Sequence, residues 1–261
     1  MKNYFSLEGK VALITGSGRG IGAGMAHMFA EAGAAVAITG RTASEVEATA
    51  AEIRADGGRA IAITVDVTDV KQLPGTIERT VKELGGLDIL VNNAGGANSP
   101  SFVDTRIELL ESHFHLIVGV AFELSRLALP HLLERPGACI INTLSPGSYK
   151  TPRGNLSYYV AKAGLAHMTK LMAADLGPRV RVNGVIPGAT ETPALLKLFE
   201  KHPQAREAAN MATRMRRLAK PDEIGLAAVY LASPAAAFVT GSLLAITGGD
   251  VEEMRQMSPD L

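Results

Sequence analysis

The 261-residue chain has no tryptophan, a single cysteine, only 5% aromatic residues and no excess of either charge. Each shortage excludes something. One cysteine, Cys139, rules out an internal disulfide and points to a reducing compartment; lying in the apolar stretch Ala138 to Ile141, it reads as an inert buried thiol. Basic and acidic residues number 26 each, so no long-range field draws in nucleic acid or an anionic membrane surface. No apolar run approaches the roughly 20 residues that span a bilayer, and the N-terminal MKNYFSLEGK has no signal-like apolar stretch. The expectation is a cytoplasmic protein, with no membrane or nucleic-acid partner, that binds small molecules or further copies of itself. Internal repeats, low-complexity tracts and Pro/Gly/Ser-rich linkers are also missing; Val251 to Leu261 alone reads as a loose tail.

What the chain does have is alternation. Val11 to Thr15, Ala35 to Thr39, Ala60 to Val65, Leu87 to Val91, Ile140 to Thr143, Val180 to Ile186 and Leu243 to Ile246 are short apolar runs that read as strands. Between them apolar residues recur at helical spacing, as at Ile21, Met25, Met28, Phe29 and Ala32, and at Val46, Ala50 and Ile53. Such βαβ repetition predicts one α/β domain over 1–261: a Rossmann-type, doubly wound parallel sheet of about seven strands with helices on both faces. Ligands then bind at the carboxyl ends of the strands.

Directly after the first strand comes Thr15-Gly16-Ser17-Gly18-Arg19-Gly20-Ile21-Gly22, and a helix begins within it. Glycines there let backbone N–H groups approach a pyrophosphate, whose charge a helix N-terminus favours. The glycines at 16, 20 and 22 are spaced G-x-x-x-G-x-G rather than G-x-G-x-x-G; a G-x-G-x-x-A reading at Gly18, Gly20 and Ala23 exists but starts late. The second strand ends Thr39-Gly40-Arg41-Thr42, with no acidic residue where an NAD site usually places one for the ribose 2′-hydroxyl. Arg41, with Arg19, suits a 2′-phosphate clamp and favours NADP(H). Solvated arginines, with Glu45 reaching the ribose, would instead allow NAD(H).

Tyr158 and Lys162 stand four apart at the start of a helix running to about Leu176, so both lie on one face, one turn apart. A neighbouring ammonium and an oxidised nicotinamide both favour phenolate, so the tyrosine is expected to titrate below its ordinary value near 10. Ser145 follows the strand Ile140 to Thr143, at the rim where chemistry is expected. In the reduction direction NADPH would give hydride to a carbonyl carbon, Tyr158 would protonate its oxygen and Ser145 would donate a hydrogen bond to it. Tyr159 points elsewhere and has Ala163, not lysine, four residues on.

The glycine loop, Asp66-Val67, Asn92-Asn93-Ala94-Gly95, Ser145, Tyr158-x-x-x-Lys162 and Pro187-Gly188 together resemble the short-chain dehydrogenase/reductase family, over nearly the whole chain. Several stretches resemble its bacterial hydroxysteroid dehydrogenases and 3-oxoacyl reductases: Asn92 to Gly96, Arg181-Val182-Asn183-Gly184, Pro187-Gly188-Ala189 and Thr247-Gly248-Gly249. The resemblance implies that Asp66 and Val67 flank the adenine and that Asn92, Ala94 and Gly95 lie along the cofactor. It implies that Lys162 bridges the nicotinamide ribose hydroxyls. Pro187, Gly188, Thr190 and Thr192 would hold the carboxamide, and 190–217 would form a lid.

Leu195, Leu196, Leu198, Phe199, Met211 and Met215 give that lid an apolar side that suits a hydrophobic carbonyl or alcohol, unless they pack it onto the core. A steroid or other bulky alicyclic ketone competes with 3-oxoacyl thioesters as substrate. The resemblance also implies a homotetramer or homodimer, for which Ala161, Leu165, Met168 and Met172 offer an apolar face that is equally suited to packing on the sheet.

One position departs from the family pattern. Where members usually carry an asparagine that holds a helix distortion in the proton path to the lysine, this chain has Ile117. Either the backbone carbonyl suffices, or His113 one turn earlier substitutes, or proton delivery is impaired. A catalytically weak nucleotide-binding sensor or scaffold is therefore the rival reading. His113 and His115 otherwise read as partly exposed helix residues, and with no third ligand at metal spacing no metal site is expected.

Overall fold

A computed structural model describes residues 3–96, 100–151 and 153–249; the tail from Val251 lies outside them. Among these residues seven parallel strands form one sheet in the order β3-β2-β1-β4-β5-β6-β7. They are β1 (Val11–Ile14), β2 (Ala35–Gly40), β3 (Arg59–Thr64), β4 (Ile89–Asn92), β5 (Cys139–Thr143), β6 (Arg181–Pro187) and β7 (Leu243–Ile246). Every predicted strand is present, displaced by at most two residues at either end.

Helices cover both faces. α1 (Gly20–Glu31) and α9 (Pro221–Ala232) pack on one side, burying Met25, Phe29, Ile224 and Val229 against Ile14, Val36 and Val185. On the other side lie α3 (Leu73–Leu84) and α5 (Val120–Leu133), whose Leu73, Ile77, Leu124 and Leu132 meet Leu13, Leu90 and Ile140. The central strands β1, β4 and β5 are buried along their whole length, which is why their sequences are continuously apolar. Cys139 is wholly buried, and loss of hydration pushes its thiol up to about 11, so it is the inert residue expected.

α2 (Ala43–Ala55) follows β2, α6 (Leu156–Leu176) follows β5, and α7 (Pro193–Lys201) and α8 (Pro203–Met211) build the 190–217 segment. Strand order reverses between β1 and β4, so the connections that follow these two strands diverge there and open a crevice at the carboxyl ends.

One expectation needs correction. The helical run Ile107–Leu133 is long and apolar enough to cross a membrane, contrary to the reading that no such run exists. It comprises α4 (Ile107–Phe114), a wide turn at His115–Gly119 and α5, and its Val120, Ala121, Leu124, Ala128 and Leu132 lie buried within the fold. Of the two readings of the face Ala161, Leu165, Met168 and Met172, packing holds for Ala161 and Leu165, which are buried with Ile117, Ala121 and Ile186.

Candidate active site

The glycine loop is tied down before it can bind anything. The Thr15 hydroxyl accepts from the N–H groups of Asn93 and Ala94, both at 2.9 Å, and the Asn93 amide donates to the carbonyls of Thr15 (2.9 Å) and Gly16 (3.1 Å). The Ser17 hydroxyl is turned inward, donating to Ile14 and accepting from the Thr39 N–H, and its own N–H donates to the Thr39 carbonyl at 2.8 Å, so the residue is wholly buried and braces the loop from inside. Sequence reasoning missed Thr15 and Asn93 as struts, since their contacts join residues 78 positions apart. At Gly22 a Cβ would collide with the Gly16 carbonyl and the Asn93 amide, so only glycine lets α1 start this close to the loop. Gly20 has φ +58, and any side chain there would meet Thr192.

Arg19, the N-cap of α1, offers no side-chain cap, which leaves the first-turn N–H groups of the helix for an anion. That uncapped end, behind a glycine cradle, fits a dinucleotide pyrophosphate. Arg41 is exposed at the end of β2 and acts on Asp66 at the end of β3. The Asp66 carboxylate accepts from the Thr68 hydroxyl at 2.7 Å and its N–H at 3.0 Å, and these bonds hold it below the usual carboxylate range. Val67 beside it is buried. Arg19 does not stand free beside Arg41: its guanidinium is 3.0 Å from Glu45 Oε1.

Ser145 caps a single 3-10 turn, its Oγ accepting the Gly147 N–H at 3.3 Å, and it shares a hydrogen bond with the Tyr158 hydroxyl. Lys162 is buried rather than snorkelling: its Nζ sits 5.7 Å from the Tyr158 ring centroid and donates to the Thr143 carbonyl at 2.5 Å. Burial draws Lys162 down to about 8. Burial pushes Tyr158 up to about 12 in the chain by itself, despite the Ser145 bond, which favours the phenolate. Gly95 closes the group, a Cβ built there lying 3.6 Å from Lys162 Nζ and 4.0 Å from Ile117 Cγ1.

Three further residues shape this corner. Tyr159 packs its ring against Gly147, where no side chain would fit, and so fastens the Ser145 turn to α6. His113 is buried, not partly exposed; its Nδ1 is 2.8 Å from Ser157 Oγ and its ring stands edge-on to Tyr158 with centroids 6.2 Å apart. It thus reaches the tyrosine rather than the lysine, and burial keeps it below its ordinary value and neutral. At Ile117 the helix widens although the side chain cannot hydrogen-bond: the Val120 N–H passes over to the His115 carbonyl, five residues back.

On the far side of the crevice Pro187 ends β6, the Thr190 hydroxyl donates to the Gly188 carbonyl at 2.9 Å, and Thr192 caps α7 by accepting the Leu195 N–H. In the lid Phe199 is buried, whereas Leu198, Met211 and Met215 are exposed. Among the described residues no cluster of metal-ligating side chains occurs.

The family model described as enoyl-(acyl carrier protein) reductase matches residues 16–250. An uncharacterised oxidoreductase of Mycobacterium tuberculosis is 44% identical over 248 residues, 95% of this chain and 94% of that protein. Among solved structures, a 7α-hydroxysteroid dehydrogenase complexed with NADH and 7-oxo glycochenodeoxycholic acid is similar at TM-score 0.90 and 36% identity, covering 98% of this chain and 100% of its own. L-sorbose reductase from Gluconobacter frateurii, complexed with NADPH and L-sorbose, is similar at TM-score 0.90 and 29% identity, covering 95% of this chain and 98% of its own. Because the likeness runs from the glycine loop through the last strand in both sequence and fold, the chain belongs to the short-chain dehydrogenase/reductase family, as an NAD(P)-binding oxidoreductase of the alcohol and ketone class.

Proposed function

We propose that the chain is a cytoplasmic, NADP(H)-preferring oxidoreductase that interconverts a bulky hydrophobic ketone and its secondary alcohol, with Tyr158 as proton donor and acceptor. One observation carries the reading: the Tyr158 hydroxyl, hydrogen-bonded to Ser145, and the buried Lys162 amine converge beside Gly95 at the carboxyl ends of the central strands. The domain is a single cofactor-binding unit over 1–261, with 190–217 as its substrate lid.

The cofactor supplies hydride in reduction and accepts it in oxidation. Gly16, Gly18, Arg19, Gly20, Ile21 and Gly22 would hold its pyrophosphate through their backbone, with Ser17 bracing the loop from inside. Asp66, Val67 and Asn92 would line the adenosine half, Ala94 and Gly95 would lie along the cofactor toward Lys162, and Pro187, Gly188, Thr190 and Thr192 would hold the carboxamide. Arg41 takes the 2′-phosphate. Ser145 donates to the substrate oxygen and holds it against Tyr158, which hands over its hydroxyl proton as that oxygen becomes the alcohol. A phenol pushed up to about 12 is fully protonated at neutral pH, which suits the donor role. In oxidation Tyr158 must act as phenolate, and there the Lys162 ammonium, reaching the ribose hydroxyls, favours the charged form.

The steroid bound to the hydroxysteroid dehydrogenase neighbour and the exposed Leu198, Met211 and Met215 of the lid support a hydrophobic, alicyclic substrate. An NAD(H)-using variant of the same chemistry is the second reading, favoured by the Arg19–Glu45 ion pair and by the NADH of that neighbour. Catalytic efficiency with each cofactor, over a panel of steroid ketones and 3-oxoacyl thioesters, separates these. NADPH is expected to lead by about tenfold, ~1.4 kcal/mol, with the lead lost in Arg41→Ala. A preference for NADH unchanged in Arg41→Ala overturns the cofactor assignment, and turnover of thioesters but no steroid overturns the substrate class.

A further inference from the structure

Arg19 and Arg41 look alike in sequence, but the fold gives them different surroundings. Arg41 is exposed at the end of β2 and acts on Asp66, whose carboxylate is already occupied by Thr68. Arg19 is engaged by Glu45, in the first turn of α2, at 3.0 Å.

Two contacts fix that turn against the glycine loop. The Thr49 hydroxyl, from the second turn of α2, donates to the Gly18 carbonyl at 3.1 Å. At Gly18 itself a Cβ would lie 3.1 Å from the Val46 backbone nitrogen and 3.2 Å from the Glu45 carbonyl carbon, so the loop rests directly on the helix start. Glu45 is therefore built into the wall of the phosphate loop. Its carboxylate faces the place where Arg19 would meet a 2′-phosphate.

We propose that Glu45 is a specificity-determining residue of the cofactor site: a 2′-phosphate must take Arg19 away from it. The inference rests on the dinucleotide reading of the loop and deepens it. NADP(H) pays for the broken pair whereas NAD(H), which asks nothing of Arg19, does not, so Glu45 narrows the gap between the two cofactors. Arg41 sets the preference for phosphate and Glu45 limits it. Because the Arg19 and Glu45 side chains are 62% and 37% exposed, the effect is modest and is weakened by salt.

The test is a double-mutant cycle on the full chain, reading NADP⁺ and NAD⁺ dissociation constants by calorimetry at low and high ionic strength. Glu45→Gln is expected to tighten NADP⁺ by roughly fivefold at low salt and to leave NAD⁺ within about twofold. The gain is expected to shrink at high salt and to disappear when Arg19→Ala is added. If Glu45→Gln leaves NADP⁺ affinity unchanged or lowers it, or if the gain survives in the Arg19→Ala background, the proposal is wrong. The NADP preference itself is judged separately, from the wild-type ratio of the two constants and its response to Arg41→Ala. A gain in Glu45→Gln upholds the role of Glu45 even in a wild type that prefers NAD⁺.

Discussion

At the Tyr158 oxygen, burial and the Ser145 hydrogen bond pull in opposite directions, and burial wins in the chain by itself. The phenol sits at about 12 and the Lys162 amine at about 8, so at neutral pH both carry their protons and the pair is set for donation. A raised phenol value means that the proton donor persists into alkali while the base is scarce at neutrality. Alcohol oxidation should therefore accelerate as pH rises from about 7 to 9, whereas ketone reduction should stay nearly flat over about 6 to 8. Loss of the Lys162 proton near 8 blunts the alkaline rise without reversing its sign. Initial rates in both directions across buffers of constant ionic strength check this; an oxidation rate that peaks in weak acid would contradict it. The meeting of Ser145, Tyr158 and Lys162 was readable because helical spacing and a place just past β5 bring those side chains to one rim. The direction of the tyrosine shift was not, because desolvation depends on what the fold packs around the ring. Tyr159 on Gly147 and Asn93 on the glycine loop escaped notice for a related reason: packing and amide bonding leave no mark in local sequence.

At the scale of elements, the helix that leads from α4 into α5 departs furthest from what its sequence suggests. Ile117 lacks the hydrogen-bonding side chain that the family pattern places there, yet the turn His115–Gly119 is widened all the same. Its cause lies in the backbone and in the burial of Ile117 and Val118 against Leu144, Ala161 and Leu165, so the distortion does not wait for an asparagine. Of the three explanations the sequence left open, the geometry favours a backbone carbonyl that suffices, and His113 is committed to Ser157 instead. Replacing Ile117 with asparagine should leave turnover and its solvent isotope effect within about twofold of wild type. It should cost stability on the order of 2–4 kcal/mol, because an amide replaces a buried alkyl chain. Stopped-flow or steady-state rates in H₂O and D₂O, with a melting curve, test both halves. A large rise in turnover with the asparagine would show that proton delivery is limiting in the natural chain. The strands were legible element by element because a parallel sheet buried on both faces writes continuous apolar runs, whereas a widened helical turn has no such signature.

For the whole molecule, the α4–α6 side presents what the sequence had sought elsewhere. Helical spacing tells which residues share a side of α6 but not which side meets the core, so the sequence left both readings of its apolar face open. What remains outside is a groove of about 490 Å³ lined by Leu110, Glu111, Phe114, His115, Gly119 and Val160, with Phe114 and Val160 about half exposed. An apolar groove of this kind is suited to burial between copies of the chain, as expected for a homotetramer or homodimer. Sedimentation of the wild-type chain should give the tetramer, and Phe114→Glu should shift it to smaller species by placing a charge in the contact. A monomeric wild type, or an unshifted variant, would remove this groove from the assembly.

The proposed reaction turns on the proton carried by Tyr158. Single-turnover reduction of an accepted ketone by NADPH, compared between wild type and Tyr158→Phe, tests it most directly, since phenylalanine keeps the ring and deletes only the hydroxyl. The expected result is a loss of about 10²–10⁴ in rate with cofactor affinity retained. A variant that keeps most of its rate would mean that another group delivers the proton, and Tyr158 would lose its place as the catalytic acid.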